Sequence, residues 1–185
     1  MFFASRFLKT TYLEKRLKGV SDVRALIERV DAKTTIERQY EKAHQMGNVN
    51  YRKMGFITGA GGIKIRPTQY LDADLMKKWL IEEKIAETIF GEGAHPEILK
   101  RAGPVLIFLA QHNCLTEEIV DMVWKSQQGK HEETVRVVYN MIIEIIDHLP
   151  IPLLQFLFAK VQEVPESQYS EMYLQFIKDY TLRAL

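Results

Sequence analysis

One pattern is written twice in this chain, and this repeat limits the possible folds more than any other feature. The first copy, HPEILKRAGPVLIFLAQHNCLTEEIVDMVWK, begins at His95, and the second, HEETVRVVYNMIIEIIDHLPIPLLQFLFAK, begins at His131, 36 residues further on. Each copy predicts a long apolar helix, a tight turn and a second amphipathic helix. Self-similarity at a period of about 20 to 50 residues, with a helical hairpin as the unit, is typical of an α-solenoid. The sequence therefore predicts an all-α fold of stacked hairpins.

The sequence outside this repeat falls into stretches of different character. The chain's length of 185 residues fits one domain, which we expect to comprise N-terminal helices at 1–31, a variable loop or insertion at 32–70 and stacked helical repeats at 71–185. An amphipathic helix is predicted by apolar residues at helical spacing, namely Leu13, Leu17, Val20, Val23, Ile27 and Val30. Gly19 weakens the middle of this helix by about 1 kcal/mol, but the stripe keeps its phase across it.

Residues 32–70 break the helical pattern. A polar helix fits near 34–45, whereas 46–68 is glycine-rich with poor periodicity, which predicts a flexible insertion. A small β-hairpin through 56–58 and 63–65, or a contact surface, are the other interpretations. After Pro165 an aromatic stripe at helical spacing begins a third copy, and the apolar end of the chain indicates a segment of a longer protein.

Composition excludes few classes of protein. A net charge of +1 argues against nucleic acid and against an anionic membrane as the main partner, because both select a basic excess. The N-terminus does not have the pattern of a signal peptide, and no uncharged run reaches the roughly 18 residues of a membrane span. The single cysteine fits a reducing compartment. We therefore expect an intracellular protein, located in the cytoplasm and with the nucleus as a second possibility.

Cys114 is the residue that most resembles a catalytic group. It follows His112 and Asn113, and these three residue types form the active sites of cysteine proteases. Catalytic partners, however, converge from distant positions, so the sequence favours a cysteine in a turn over a cysteine hydrolase that uses Cys114.

Other motifs lack a required element. HEETV at His131 has Val135 where a zinc-binding HExxH needs histidine, and GAGGIK at 59–64 lacks the lysine and hydroxyl of a phosphate loop. The repeat explains four of the histidines better than a metal does: His95, His112, His131 and His148. The basic residues Arg52, Lys53, Lys64 and Arg66 fit a solvated loop as well as a patch for an acidic partner. Paired glutamates at 82–83, 117–118 and 132–133 lie near helix ends and form no general-acid pair. We assign no catalytic, cofactor-binding or metal-binding residue.

Several local features predict where helices begin, end and bury their faces. N-caps are predicted at Asp72 or Asp74 and at Thr116, and helix ends at Gly91, Gly93 and Gly129. Pro104 should kink its helix. Trp124 should be buried, with Leu106, Leu109 and Ile119 as neighbours.

Two stretches resemble a known family. LEKRLKGVSDVRALIERV and WLIEEKIAETIFGEGAHPEILKRAGPVLIFLAQHNCLTEEIVDMVWKSQQGKHEETVRVVYNMI are similar to the helical-repeat region of the very large fat-facets-type ubiquitin-specific proteases. The most specific part is LTEEIVDMVWKSQQGKHEETVRVVYNMI, and the resemblance is weakest over 31–70.

This resemblance implies armadillo-like or HEAT-like helices upstream of a ubiquitin carboxyl-terminal hydrolase domain. The family's cysteine box, similar to GNTCYMNS, does not match QHNCLTEE around Cys114, so its catalytic residues are not carried over. The implied function is a non-catalytic scaffold that binds protein partners, such as ubiquitin-pathway substrates or adaptors. A generic armadillo or HEAT adaptor unrelated to ubiquitin is the other scaffold reading.

Overall fold

The computed structural model describes residues 1–45 and 71–184, with side chains for 1–32 and 71–184. The glycine-rich insertion expected near 46–68, its alternative hairpin and its basic residues lie outside this part of the chain. The described residues form nine α-helices and no β-strand, and these helices are α1 Phe2–Leu8, α2 Leu13–Gln45, α3 Ala73–Glu82, α4 Ile85–Phe90, α5 Pro96–Gln111, α6 Glu117–Lys125, α7 Glu132–Ile145, α8 Ile151–Gln162 and α9 Glu171–Ala184. Short 3-10 turns occupy Ile146–His148 and Glu166–Gln168. The predicted all-α class is confirmed for the described residues.

The helices lie in two rows that follow the duplicated pattern. In one row α2, α5, α7 and α9 each pack on the next, and in the other α4 packs on α6 and α6 on α8. The first helix of each copy lies in the first row and the second helix in the second row. α1 packs on α2 and α4, and α3 also contacts both of these helices. One continuous apolar core extends from Ala4 in α1 to Tyr180 in α9.

The repeated histidines at 95 and 131 have a structural role as N-caps. His95 Nδ1 accepts a hydrogen bond from the Glu97 amide at 3.2 Å, and His131 Nδ1 accepts one from the Glu133 amide at 3.3 Å. Each imidazole thus satisfies an amide that the first turn of a helix leaves without an intrahelical acceptor. The repeat reproduces both the residue type and its position, so these two histidines mark the starts of α5 and α7.

The N-caps predicted from the sequence are confirmed. Asp72, rather than Asp74, caps α3, because its Oδ1 accepts from the Leu75 amide at 2.8 Å. Thr116 caps α6, and its Oγ1 accepts from the Ile119 amide at 3.4 Å. Such caps contribute about 1 kcal/mol each and fix where a helix begins.

Gly91 ends α4 as predicted, with Gly93 two residues further on, whereas the prediction that Gly129 ends α6 is wrong, because α6 ends at Lys125 with Ser126 as its cap. Gly93 and Gly129 adopt left-handed backbones with φ of 77° and 66°. Gly91, in contrast, has a φ of −68° and caps α4 in an extended conformation. A Cβ at Gly91 would lie 2.4 Å from the carbonyl oxygen of Glu87, so this position needs glycine for space.

Helix α2 is longer than the apolar stripe that predicted it. Its backbone continues past Asp31 to Gln45 without a break, which joins the N-terminal stripe and the polar helix expected near 34–45 into one element. Val20, Val23, Ile27 and Val30 are buried, as the stripe predicts. Helix α5 likewise continues through Pro104, and the kink expected there stays a prediction.

Helix α1 is held against the end of α3 by a cluster of polar side chains. The Ser5 hydroxyl donates to Glu83 Oε2 at 2.5 Å, and the Lys9 ammonium donates to the same oxygen at 2.7 Å. Ser5 is buried and lies on the face of α1 that packs on the core. These hydrogen bonds, first from Lys9 and then from Ser5, hold the pKa of Glu83 below its ordinary value of 4.5.

We predict that Glu83→Gln lowers the melting temperature at pH 7 and that its effect shrinks in acid. Because the pKa of Glu83 is lower in the folded chain than in the unfolded one, its ionisation stabilises the fold above about pH 4.5. This contribution is lost as the pH falls through the lower, folded-state pKa. Thermal unfolding of parent and variant between pH 7 and pH 3 measures it. The neighbouring change Glu82→Gln is the control, and an equal, pH-independent loss in both variants would contradict the prediction.

Candidate protein-interaction site

Cys114 lies in the turn that ends α5. The Cys114 amide donates to the Leu109 carbonyl at 2.8 Å and the Asn113 amide to the Ala110 carbonyl at 3.1 Å. Asn113 has a left-handed backbone, with a φ of 55°. This pair of bonds around a left-handed residue is the Schellman motif, a common way to end a helix. Asn113 and the backbone of Cys114 therefore act together as a helix cap.

The thiol of Cys114 bonds to the backbone of its own turn. It is half-buried, and its Sγ donates to the backbone carbonyl of His112 at 3.4 Å. Burial raises the pKa of the Cys114 thiol, and nearby Lys77 opposes this only in part. The reactive form of cysteine is the thiolate, which a raised pKa disfavours. The His112 ring packs on Phe108, with 4.3 Å between the ring centroids.

We predict that Cys114 reacts slowly with iodoacetamide at pH 7. The rate should be several-fold lower in the folded chain than in the same chain unfolded in urea, because burial removes both access and thiolate. It should rise as the pH is raised. Intact-mass measurement of alkylation over time tests this, with Cys114→Ala as the blank. Faster reaction in the folded chain would indicate an activated cysteine.

The other candidate residues are placed at separate helix ends. Glu117 and Glu118 lie in the first turn of α6, and Glu132 and Glu133 lie in that of α7, as expected. His148 lies in the turn after α7, where its Nε2 is 3.5 Å from Gln111 Nε2. Within residues 1–32 and 71–184, no three histidine, cysteine, aspartate or glutamate side chains are grouped as a metal site. GAGGIK at 59–64 lies outside the described residues.

An aromatic cluster joins α6, α7 and α9. Trp124 is buried, as predicted, and its ring centroid lies 6.2 Å from that of Tyr139 and 6.0 Å from that of Phe176. Tyr139 and Phe176 stack at 4.3 Å with an interplanar angle of 19°. The ring partners of Trp124 thus come from α7 and α9. The sequence had suggested Leu106, Leu109 and Ile119 as its neighbours.

Two tyrosines of α9 bond back to α8. The Tyr173 hydroxyl donates to the Val161 carbonyl at 2.7 Å, and the Tyr180 hydroxyl donates to the Leu154 carbonyl at 2.9 Å. Burial raises the pKa of Tyr173 to about 12, so this hydroxyl remains a donor over the physiological range. The two bonds fix α9 on the preceding helix.

A groove of about 480 Å³ runs between α7 and α9, and we call it the α7/α9 groove. Its floor is aromatic and apolar, formed by Tyr139, Met172 and Phe176. Its walls carry polar residues four apart, which are Glu132, Arg136 and Asn140 on α7 and Glu171, Gln175 and Asp179 on α9, and the apolar Ile143 lies at one end. An aromatic floor with polar walls can bind a peptide segment through both the aliphatic parts and the polar groups of the peptide's side chains.

Two further grooves line the turns at one end of the rows. One of about 600 Å³ lies against Trp124, Gly129 and Tyr173, and one of about 450 Å³ lies against Phe90, Gly93 and Lys125. The first of these shares the lining residues Glu132, Tyr139 and Met172 with the α7/α9 groove. Sequence reasoning missed this surface. The signal was the polar residues four apart on α7 and α9, which become a groove only when both helices are known to be neighbours.

The comparisons with known proteins identify the family. The UBP24/USP9X/USP9Y ARM repeat family matches residues 2–178. This chain belongs to that ARM repeat family. The match confirms the resemblance to ubiquitin-specific proteases that the sequence indicated, and it assigns the all-helical rows to an armadillo-like region.

Curated relatives of the ARM repeat chain are ubiquitin carboxyl-terminal hydrolases. It is 30% identical to ubiquitin carboxyl-terminal hydrolase 34 of Homo sapiens over 122 residues, which are 65% of this chain and 3% of that protein. It is 27% identical over 89 residues to the probable ubiquitin carboxyl-terminal hydrolase FAF of Drosophila melanogaster, covering 43% of this chain and 3% of that protein. For ubiquitin carboxyl-terminal hydrolase 9Y of Homo sapiens the identity is 26% over 90 residues, covering 44% and 4%. The chain therefore spans only a few per cent of the length of these relatives.

Among the described residues, no helix combines the length and the apolar character that are required to cross a bilayer.

Proposed function

We propose that this ARM repeat chain is a non-catalytic scaffold of a ubiquitin-specific protease, which binds proteins or positions substrates. The observation that carries the proposal is the ARM repeat match over residues 2–178. The position of Cys114 in a helix cap, with a raised thiol pKa, supports a role without catalysis. The relatives' names supply the ubiquitin hydrolase context.

The proposal includes an α-solenoid architecture in which residues 1–185 form one domain within a longer protein. Two rows of helices that alternate along the chain support it, because stacked hairpins produce this arrangement. Such an array presents long surfaces on which a few aromatic or charged anchors provide most of the binding energy. A small-angle scattering profile more elongated than that of a compact globule of equal mass would agree with a solenoid. A compact profile would contradict it.

The proposed partners are proteins of the ubiquitin pathway, and neither nucleic acid nor membrane is proposed. A net charge of +1 supports this choice, because polyanionic partners select a basic excess. We place the chain in the cytoplasm, with the nucleus as a second location. Fractionation of cells that express the protein tests the location, and recovery from a membrane or secreted fraction would contradict it.

A ubiquitin probe with an electrophilic C-terminus tests the absence of catalysis. We expect no covalent adduct between the probe and this chain, since the Cys114 thiol is half-buried and burial raises its pKa. An authentic ubiquitin hydrolase provides the positive control. An adduct that disappears in Cys114→Ala would refute the proposal and favour a cysteine hydrolase.

Affinity enrichment tests protein binding. The folded chain and a Trp124→Ala chain serve as matched baits, because the substitution should disrupt the fold without changing the charge. We expect ubiquitin-pathway proteins to be enriched on the parent bait. Equal recovery on both baits would contradict a scaffold that binds through its folded surface.

A further inference from the structure

We propose that the α7/α9 groove binds an extended basic segment of a partner protein, with the Tyr139 hydroxyl as a hydrogen-bonding anchor in its floor. The proposal rests on the scaffold function above and names one of its binding surfaces. Three observations support it: a tyrosine hydroxyl that opens to the groove and bonds to no group among the described residues, an excess of negative charge on the walls, and walls of suitable length.

Tyr139 differs from the other buried tyrosines of the cluster. It is only 8% exposed, and it stacks on Phe176 in the groove floor. The hydroxyls of Tyr173 and Tyr180 both donate to backbone carbonyls, whereas that of Tyr139 bonds to no group among the described residues. The Tyr139 side chain lines the α7/α9 groove and the groove beside Trp124. Its hydroxyl can therefore donate to a backbone carbonyl of a peptide bound in the α7/α9 groove.

The charges along the groove leave two carboxylates for a partner. The guanidinium of Arg136 lies 2.9 Å from Glu132, and at the far end that of Arg183 lies 3.8 Å from Asp147 and donates to the Ile143 carbonyl at 3.0 Å. Arg136 and Arg183 are therefore each matched by an acid.

The unmatched carboxylates are on α9. Glu171 and Asp179 both line the groove, and neither has a cation partner within the described residues. Asp179 accepts a hydrogen bond only from the neutral amide of Gln175, at 2.8 Å. Lysine or arginine side chains would neutralise these carboxylates, while their aliphatic stems pack on Met172 and Phe176. The charge pattern thus selects a basic occupant.

The dimensions fit a short extended segment. The lining residues run from Glu132 to Ile143 on α7 and from Glu171 to Asp179 on α9, which at 1.5 Å per residue gives walls of about 16 and 12 Å. An extended chain advances about 3.3 Å per residue, so about four or five residues span these walls and a seven-residue peptide covers them. Backbone carbonyls recur along such a segment, and any of them that faces the floor can accept from Tyr139.

Fluorescence anisotropy with labelled seven-residue peptides tests the proposal. The basic probe is KLARLAK and the matched acidic probe is ELADLAE, both measured at about 50 mM salt. We expect the basic probe to bind at least about tenfold more tightly than the acidic one, with an affinity that falls as salt is added. Equal affinity for both probes, or no binding of KLARLAK, would overturn the proposal.

Two groove variants and one control locate the binding. Tyr139→Phe keeps the stacked ring but removes the hydroxyl, and should weaken binding of KLARLAK about tenfold, as expected for loss of one buried hydrogen bond. The pair Glu171→Gln and Asp179→Asn should weaken it about tenfold and flatten the salt dependence. The pair Glu117→Gln and Glu118→Gln on α6 makes the same change in net charge outside the groove, and should leave affinity unchanged.

The comparison among these variants decides the outcome. If the α6 control loses as much affinity as the α9 pair, attraction to net charge explains the binding and the groove is refuted. If Tyr139→Phe binds KLARLAK as tightly as the parent does, the anchoring role of the hydroxyl is refuted. Circular dichroism spectra and melting curves verify that every variant is folded. If the peptide experiments refute the groove and the ubiquitin probe forms no adduct with Cys114, the scaffold proposal still stands. A Cys114 adduct would refute the scaffold proposal whatever the peptide result.

Discussion

Trp124→Ala is expected to lower the free energy of unfolding by about 3 to 5 kcal/mol, the usual cost of removing a buried tryptophan or phenylalanine side chain. Trp124 is 4% exposed, and its ring contacts those of Tyr139 and Phe176, so the substitution leaves a cavity where α6, α7 and α9 meet. Domains of this size are commonly stable by about 5 to 15 kcal/mol. A large part of the chain's stability would be lost at one position.

Urea unfolding followed by circular dichroism measures this effect. Leu182→Ala is the control, because Leu182 is 69% exposed and its truncation should change stability by no more than about 0.5 kcal/mol. Trp124→Phe should fall between the two, since it keeps an aromatic ring in the cluster. A melting temperature of Trp124→Ala within a degree or two of that of the parent would contradict the described packing of α6 against α7 and α9.

The caps and helix starts could be predicted because they are local. Asp72 and Thr116 can be recognised as N-caps from their residue type and from the pattern of the next few positions. Both cap the helices expected. The burial of Trp124 followed from the apolar spacing of its own helix.

The ring partners of Trp124 and the α7/α9 groove could not be predicted in this way. Tyr139 and Phe176 belong to helices separated from each other by the whole of α8, and their contact depends on which helix of one hairpin meets which helix of the next. Periodicity shows which face of a helix is buried but does not identify the partner of that face. That the Tyr139 hydroxyl opens to this groove is likewise visible only when the neighbouring side chains are placed.

Helix α2 shows a different limit. Its predicted apolar stripe ends at Val30, but the backbone remains helical to Gln45. Hydrophobic periodicity predicts the stripe and the polar helix near 34–45 as two elements, because it does not show whether one helix continues into the next. The same reasoning treated Gly19 as a weak point in α2, because glycine lacks helix propensity.

Gly19→Ala is expected to destabilise the chain by about 1 to 3 kcal/mol, the range of overpacked cores, although alanine has the higher helix propensity. α1 crosses α2 at Gly19. An added Cβ would lie 2.8 Å from the Leu8 amide nitrogen, 2.9 Å from Leu8 Cγ and 3.0 Å from the Ala4 carbonyl oxygen. Two of these atoms are backbone and cannot turn aside, so α1 must move away from α2. The steric cost should therefore exceed the propensity gain of about 1 kcal/mol.

Gly103→Ala provides the matched control for Gly19→Ala, because Gly103 also lies within a helix. A Cβ there would meet only Met141 Cγ at 3.8 Å, an ordinary contact. Its propensity gain is opposed by the restriction that Pro104 places on the preceding residue, so stability should stay within about 1 kcal/mol of the parent. Urea unfolding of both variants gives the difference, and hydrogen exchange of the α1 amides shows whether that helix is displaced. If Gly19→Ala were as stable as Gly103→Ala with α1 equally protected, α1 would not cross α2 at this glycine.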